Sequence, residues 1–208
     1  MHTDRSFTLA EPSHRGEVVR DLCRCCDLAE RLQLVPPSAQ SRGLYVMGID
    51  RALARAGALD RFKTLFPQRL LALGWYPTSD FLVRLAVGGA LLAGPDKVHE
   101  GMFEIGQGNA VAFAESLLGR ALIRILDRDP KRLLEQALAG RRLGSRFGHW
   151  DLELLSDREA VVTMTDEFSY IESYLLGAAK GTFDAIGVPV RAEAVLQNRF
   201  NGKHLLSW

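Results

Sequence analysis

The hydrophobic period of this chain first changes from helical to alternating at Gly148, and that change limits the folds it can adopt. Before Gly148, apolar residues recur every three or four positions, which is the spacing of amphipathic helices. From His149 to Leu155 apolar and polar residues alternate, and 160–165 and 188–196 are similarly strand-like. A helical pattern over 168–186 separates them. The order predicts an α+β fold, a helix-rich body with a small antiparallel sheet (β-β-α-β) in the C-terminal third.

Turn-forming residues predict where the helices of the body begin and end. Pro36 and Pro37 end a helix that starts near Glu17, because proline removes a backbone donor. Asp129-Pro130 is typical of a helix start, in which the Asp129 side chain caps the first turn. The predicted helices cover 17–34, 79–93 (capped by Thr78 or Ser79), 96–106, 109–127 and 129–140, and 204–208 is predicted as one more short strand.

Length and charge restrict the domain organisation and the partners. We predict a flexible arm over 1–16 and a single globular α+β domain over 17–208, with its helical part at 17–147 and its sheet-containing part at 148–208. Lys plus Arg number 26 against 25 Asp plus Glu, so no global field favours nucleic acid. No apolar run reaches the length of a membrane span. The N-terminal residues lack a signal-peptide core, so we expect a cytoplasmic protein.

The three cysteines occur together as Cys23, Cys25 and Cys26. Cys23 and Cys26 have the C-x2-C spacing that places two thiolates on one zinc ion. No second pair accompanies them, and an odd number of close cysteines is typical of a reducing compartment. The pattern favours a helix with buried thiols over a zinc site.

Catalytic motifs are missing from the sequence, so we expect a protein that is not an enzyme. Gly106-Gln107-Gly108 lacks the third glycine of a dinucleotide-binding loop and follows a helical segment, which favours a tight connection between two helices. Glu167, Glu172 and Asp184 fit an exposed helical face better than acid–base chemistry.

His99 lies on the predicted helix 96–106 beside apolar residues. A neutral imidazole in such surroundings can be an axial ligand of haem iron. A partly exposed helix residue is the alternative, since the sequence offers no second residue to orient the ring.

The helix over 168–186 carries a small-residue stretch, from Gly177 to Gly181. Small side chains permit close packing, and they also permit a ligand between the helix and the sheet. If a ligand is bound, we expect a small apolar molecule in a pocket between the sheet and its covering helices. The predicted ligand-binding residues are Trp150, Leu152, Tyr174, Ala178, Phe113 and Leu117.

Short motifs from about residue 40 to the end resemble a family of sequences. They include Ser41-Arg42-Gly43-Leu44-Tyr45 with Gly48, Tyr76-Pro77 with Phe81-Leu82, Gly106 with Phe113-Ala114-Glu115-Ser116 and Gly119-Arg120, Asp129-Pro130-Lys131-Arg132-Leu133-Leu134, and Tyr174-Leu175-Leu176-Gly177 through Ser207-Trp208. In these the chain resembles the paralogous family of uncharacterised cytoplasmic proteins expanded in myxobacteria. That resemblance implies neither an activity nor site residues.

The β-β-α-β tail with its glycine-bearing helix also resembles the 4-vinyl-reductase-like and heme–nitric-oxide-binding domains. The resemblance implies a dimeric sensor or carrier with a ligand pocket between helices and a sheet. The haem-binding members have a proximal histidine and a Tyr-x-Ser-x-Arg signature; this chain has only His99 and lacks the signature.

Together these observations predict a non-enzymatic small-ligand-binding or sensory and regulatory domain that forms a homodimer. The first alternative is a protein-interaction scaffold that binds no ligand. The second is a haem-binding sensor that uses His99.

Overall fold

The computed structural model describes residues 14–115, 117–125 and 129–208, with the side chains at positions 14, 115, 117–119 and 122 left out. The chain divides into two compact units, one ending at Gly101 and the other running from Met102 to Trp208. The predicted α+β class is confirmed. Residues 1–13 of the predicted arm lie outside the described residues. Within the described ranges, no helix combines the length and the apolar character needed to cross a membrane.

The first unit is made of helices and a two-stranded ribbon. Its elements are α1 (His14–Leu22), α2 (Leu28–Leu34), β1 (Gln40–Arg42), α3 (Gly43–Arg55), α4 (Leu59–Leu65), β2 (Trp75–Pro77) and α5 (Thr78–Ala93). Every residue of α5 from Phe81 to Ala90 is buried, so this helix is the core of the unit. That stretch includes Arg84, whose Nε donates to Asp80 Oδ2 at 2.9 Å. The pairing compensates the charge that burial would otherwise disfavour.

The ribbon of β1 and β2 was not predicted from the sequence. Each strand has three residues, too few for an alternating pattern to stand out. The predicted start of α5, the helix that follows β2, is correct, but its predicted cap, Thr78 or Ser79, is wrong. Pro77 occupies the capping position, and the Thr78 hydroxyl instead bonds to the Ser41 hydroxyl at 3.0 Å, which ties α5 to β1.

Three further helices follow, α6 (Val98–Glu115), α7 (Leu117–Ile125) and α8 (Pro130–Gly144). The α6 helix runs unbroken through Gly106-Gln107-Gly108, so the predicted connection between two helices is wrong at this place. Asp129 caps α8 as predicted, since its Oδ1 accepts from the Lys131 amide at 2.9 Å. Gly140 does not end α8, which continues to Gly144. A helix-interior glycine costs only about 1 kcal/mol relative to alanine, so glycine alone does not end a helix.

The remainder of the second unit is a four-stranded sheet with its covering helix. The elements are β3 (His149–Leu154), β4 (Glu159–Thr165), a π-helical turn (Ile171–Leu175), α9 (Leu176–Ile186), β5 (Arg191–Asn198) and β6 (Asn201–Ser207). The strand order is β3-β4-β6-β5, and every neighbouring pair is antiparallel. The predicted β-β-α-β order and the additional last strand are confirmed. The predicted helix over 168–186 begins later than expected, with the π-helical turn as its first element.

Candidate functional site

One face of the four-stranded sheet is covered and contributes to the core of the second unit. Paired residues of antiparallel strands point to the same face. The pairing therefore places three rows of residues on the covered face: Trp150 with Met164, Gly202 and Leu196; Leu152 with Val162, His204 and Ala194; and Leu154 with Ala160, Leu206 and Ala192. The members of these rows on β4 and β6 are buried. The centre of this face is thus closed to solvent.

His204 stands in the middle of the covered face and is 3% exposed. Its Nε2 donates to the backbone carbonyl of Ile171 at 2.8 Å, which joins β6 to the π-helical turn. Burial lowers the pKa of His204, because the charged imidazolium is disfavoured away from water, while the Ile171 carbonyl and Glu167 act in the opposite direction. His204 therefore serves as a neutral hydrogen-bond donor inside the core.

Helix α6 meets the π-helical turn and α9 at backbone contact. A Cβ atom added to Gly106 would lie 2.0 Å from the Tyr174 carbonyl oxygen, and one added to Gly177 would lie 2.1 Å from the Phe103 carbonyl oxygen. A Cβ atom on Gly181 would be 2.4 Å from the carbonyl oxygen of Gln107. Real Cβ atoms do not approach backbone so closely, so these positions require glycine. The small-residue stretch of α9 therefore provides close packing, and no ligand fits between the helices at these contacts.

The six predicted ligand-binding residues occupy several positions in the second unit. Trp150 and Leu152 share the covered face of β3. Tyr174 is buried in the π-helical turn and its hydroxyl accepts a long hydrogen bond from Asn109 at 3.5 Å. Ala178 lies on α9, where its amide nitrogen faces Gly106, whereas Phe113 on α6 is 48% exposed. The Leu117 side chain is outside the described residues. A pocket shared by these residues stays a prediction.

A buried carboxylate at Glu167 joins three segments of the second unit. Its Oε2 accepts from Arg141 Nη2 at 2.7 Å, from Arg141 Nε at 3.2 Å and from Trp150 Nε1 at 2.8 Å. Its Oε1 accepts from the Ser169 amide at 2.9 Å. The Glu167 side chain is fully buried, so the prediction that it lies on an exposed helical face is wrong. Sequence reasoning missed it because Arg141, its charge partner, is 26 positions away and lies on another element.

Arg141 is held between the carboxylate and two aromatic rings. Its Cζ lies 4.5 Å from the ring centre of Phe147 and 5.4 Å from that of Trp150. Its Nη2 also donates to the Phe147 carbonyl at 3.0 Å. Stacking over aromatic faces stabilises a guanidinium and fixes its plane. A pocket of about 220 Å³ opens beside this group.

The cysteine cluster is a turn between α1 and α2, so the predicted single helix over 17–34 is wrong. The Cys26 amide donates to the Cys23 carbonyl at 3.2 Å, which closes a tight turn. Cys23 is buried, and its hydrogen bond with Cys26 together with burial raises the pKa of its thiol. Cys25 is exposed and its thiol donates to Asp96 at 3.4 Å. The described residues contain no group of three or more His, Cys, Asp or Glu side chains that could hold a metal ion.

The described histidine side chains differ in their fitness as haem ligands, which must offer a nitrogen lone pair. His204 donates its Nε2 proton to a carbonyl within the core. His149 is exposed and bonds to the Asp151 carboxylate at 2.9 Å. His99 is half-buried near the start of α6. His99 thus keeps the helical position that the sequence predicts for it, and ligation of haem by this residue stays a prediction.

Comparison with known proteins gives a family and a fold. Residues 35–208 match the model of a family described as a protein of unknown function (DUF2378). No curated protein has a matching sequence. A crystal structure of Fe(II) unliganded H-NOX protein from K. algicida is similar, with a TM-score of 0.60 and 14% identity over 80% of this chain and 95% of that one. A double variant of Tt H-NOX gives a TM-score of 0.56 and 15% identity over 80% and 94%.

Proposed function

The chain belongs to the DUF2378 family, and we propose that it is a sensory domain that binds a small ligand and regulates a partner pathway. The observation that carries this proposal is the H-NOX-like fold, which extends over 80% of the chain. One of the similar structures probes the function of haem distortion in the H-NOX family, at a TM-score of 0.55 and 16% identity. At so low an identity the likeness supports a shared fold only, so the function of this chain has to be argued from its site residues.

Haem is the ligand that the fold likeness favours, and His99 is the residue that would hold it. When bound, haem supplies an iron that takes a small gaseous or anionic ligand. His99 offers an imidazole on a helix, at a half-buried position. The missing Tyr-x-Ser-x-Arg signature means that any contacts to the rest of the haem differ from those of the haem-binding domains it resembles.

Haem titration of the purified full chain tests this assignment. We expect a Soret band to develop on titration with hemin, and we expect His99→Ala to shift or abolish it. His149→Ala is the matched control, because His149 is exposed and bonds to Asp151 at the surface. A titration without a Soret band, or one that His99→Ala leaves unchanged, would overturn haem ligation by His99.

Native mass spectrometry tests the broader proposal of a small-ligand sensor. The chain is purified without added haem, and the intact mass is compared before and after mild denaturation. A retained small molecule supports the sensor function with or without haem. A clean apo mass together with a negative hemin titration would argue against it.

A protein-interaction scaffold is the second candidate, because exposed leucines occur together in the first unit. Leu71 and Leu73 are 69% and 77% exposed, and Leu44, whose amide donates to the Ala72 carbonyl, is 44% exposed. The segment that carries them is fixed by the Tyr76 hydroxyl, which accepts from the Leu71 amide at 2.9 Å. A rigid display of apolar side chains is typical of interaction surfaces. If this surface forms the predicted homodimer, Leu71→Asp with Leu73→Asp will yield a monomer by light scattering.

A further inference from the structure

The pocket beside Arg141 is lined by hydrogen-bond donors and aromatic rings, without an acidic side chain. Its walls come from the end of α8 and the start of β3, and they are formed by Leu138, Arg141, Arg142, Ser145, Phe147, Gly148, His149 and Trp150. We infer that this pocket binds a small oxyanion, a carboxylate or phosphate group. This inference goes beyond the proposed function and does not depend on haem.

Arg141 provides the fixed part of the site. Its side chain is 10% exposed, and its Nε and Nη2 are occupied by Glu167 and the Phe147 carbonyl. Its Nη1 makes no hydrogen bond to any described residue, and Arg141 lines the pocket, so two N–H donors are left for a bound group. Because Glu167 and the aromatic rings already hold the guanidinium, binding requires little further ordering of this side chain.

Arg142 and Ser145 provide further donors. Arg142 is exposed and forms no ion pair with a described residue, so its charge is available to a ligand. Ser145 is 8% exposed and contributes a hydroxyl to the wall. Arginine forks bind carboxylate and phosphate oxygens with two parallel hydrogen bonds, so this set of donors suits an oxyanion.

The charges around the pocket leave a small positive excess. Glu167 balances Arg141 from behind, and Asp151 bonds to His149 at the rim. The C-terminal end of α8 adds a partial negative charge of about half a unit. The charge of Arg142 exceeds that contribution, so we expect affinity to fall when Arg142 is neutralised and when salt is raised.

The size of the pocket limits the ligand. Pockets for drug-sized molecules have volumes of about 300–1,000 Å³. At about 220 Å³ this pocket suits a single phosphate, a short carboxylic acid or the charged end of a larger molecule. The ring of Trp150 lies in its wall, so occupancy is expected to change tryptophan fluorescence.

Calorimetric titration of the full chain with inorganic phosphate and with acetate tests the inference. We expect saturable binding of at least one anion, accompanied by a fluorescence change that Trp150→Phe removes. Arg142→Ala is expected to weaken binding at least fivefold. Arg132→Ala is the matched control, since Arg132 is an exposed arginine of the same helix that pairs with Asp129 outside the pocket.

The outcomes separate this site from the haem proposal. Equal binding by the wild type and Arg142→Ala, or no binding of either anion at low salt, would overturn the oxyanion site. Hemin titration of Arg142→Ala should match that of the wild type. Anion binding without a Soret band would support this site and reject haem. A Soret band without anion binding would reject this site and leave the haem proposal standing.

Discussion

Replacing Glu167 by glutamine tests whether the buried carboxylate stabilises the second unit. Glu167 Oε2 accepts from two nitrogens of Arg141 and from Trp150, and Oε1 accepts from the Ser169 amide. Glutamine keeps the shape of the side chain but turns one acceptor into a donor. Whichever way the amide is oriented, its NH2 group then faces at least one donor of the original set, and the Arg141 charge loses its counter-charge.

The expected loss of stability follows from the burial of this pair. The two side chains are 10% and 0% exposed, so solvent screens the lost interaction only weakly. Removing one partner of a buried ion pair costs about 3–5 kcal/mol, because the other charge is left uncompensated. In a chain of this size, 1 kcal/mol shifts Tm by about 2–4 °C, which predicts a decrease of roughly 6–20 °C.

Urea unfolding, followed by tryptophan fluorescence and by circular dichroism, measures this loss. Glu153→Gln is the control, because Glu153 is an exposed carboxylate on β3, and we expect it to change the unfolding free energy by less than about 0.5 kcal/mol. If Glu167→Gln loses less than 1 kcal/mol, the carboxylate does not stabilise the fold in the way that its four hydrogen bonds indicate.

Three further predictions concern packing, pH and thiol reactivity. Gly177→Ala is expected to destabilise the chain by at least about 1–3 kcal/mol in urea unfolding, because its Cβ would meet backbone, whereas Gly108→Ala on α6 meets nothing within 4 Å and should be neutral or stabilising. Burial holds the pKa of His204 below its ordinary 6.5 in the folded chain. As pH falls, His204 is therefore protonated in the unfolded chain at a higher pH than in the folded chain. The unfolding free energy should therefore decrease as pH falls below 6.5, and a flat profile, or a decrease that His204→Gln leaves unchanged, would contradict this. Maleimide should label exposed Cys25 in the native chain much faster than buried Cys23, as mass spectrometry of peptides will show; equal rates would contradict the placement of Cys23.

The local pattern of the sequence was sufficient for the fold class and for the sheet strands. Alternation over 149–155 identifies β3, the β-branched residues of 160–165 identify β4, and the turn residues between them mark the hairpin. The Asp129 cap was predictable because its signal is contained in three consecutive residues. These features depend on neighbours in sequence, which is why a single sequence revealed them.

Features that depend on distant partners were not predictable. Gly106-Gln107-Gly108 looked like a connection, but the backbone of α9 packs on Gly106 and α6 continues through it. Glu167 looked like an exposed residue because nothing nearby in sequence shows that Arg141 and Trp150 converge on it. The pocket beside Arg141 was missed for the same reason, although the basic residues at the end of α8 were visible in the sequence.

The position of β6 has a consequence for the order in which the sheet is made. β6 is the last of the four strands in sequence, yet it lies between β4 and β5. The β3–β4 hairpin can form as soon as both strands are synthesised, because a short turn joins them. Pairing β4 with β6 joins Val162 to His204, and closing so long a loop is slower. During synthesis the edge of β4 that pairs with β6 therefore keeps unpaired backbone N–H and C=O groups until Asn201–Ser207 has emerged, and over that interval it is open to aggregation and to chaperones.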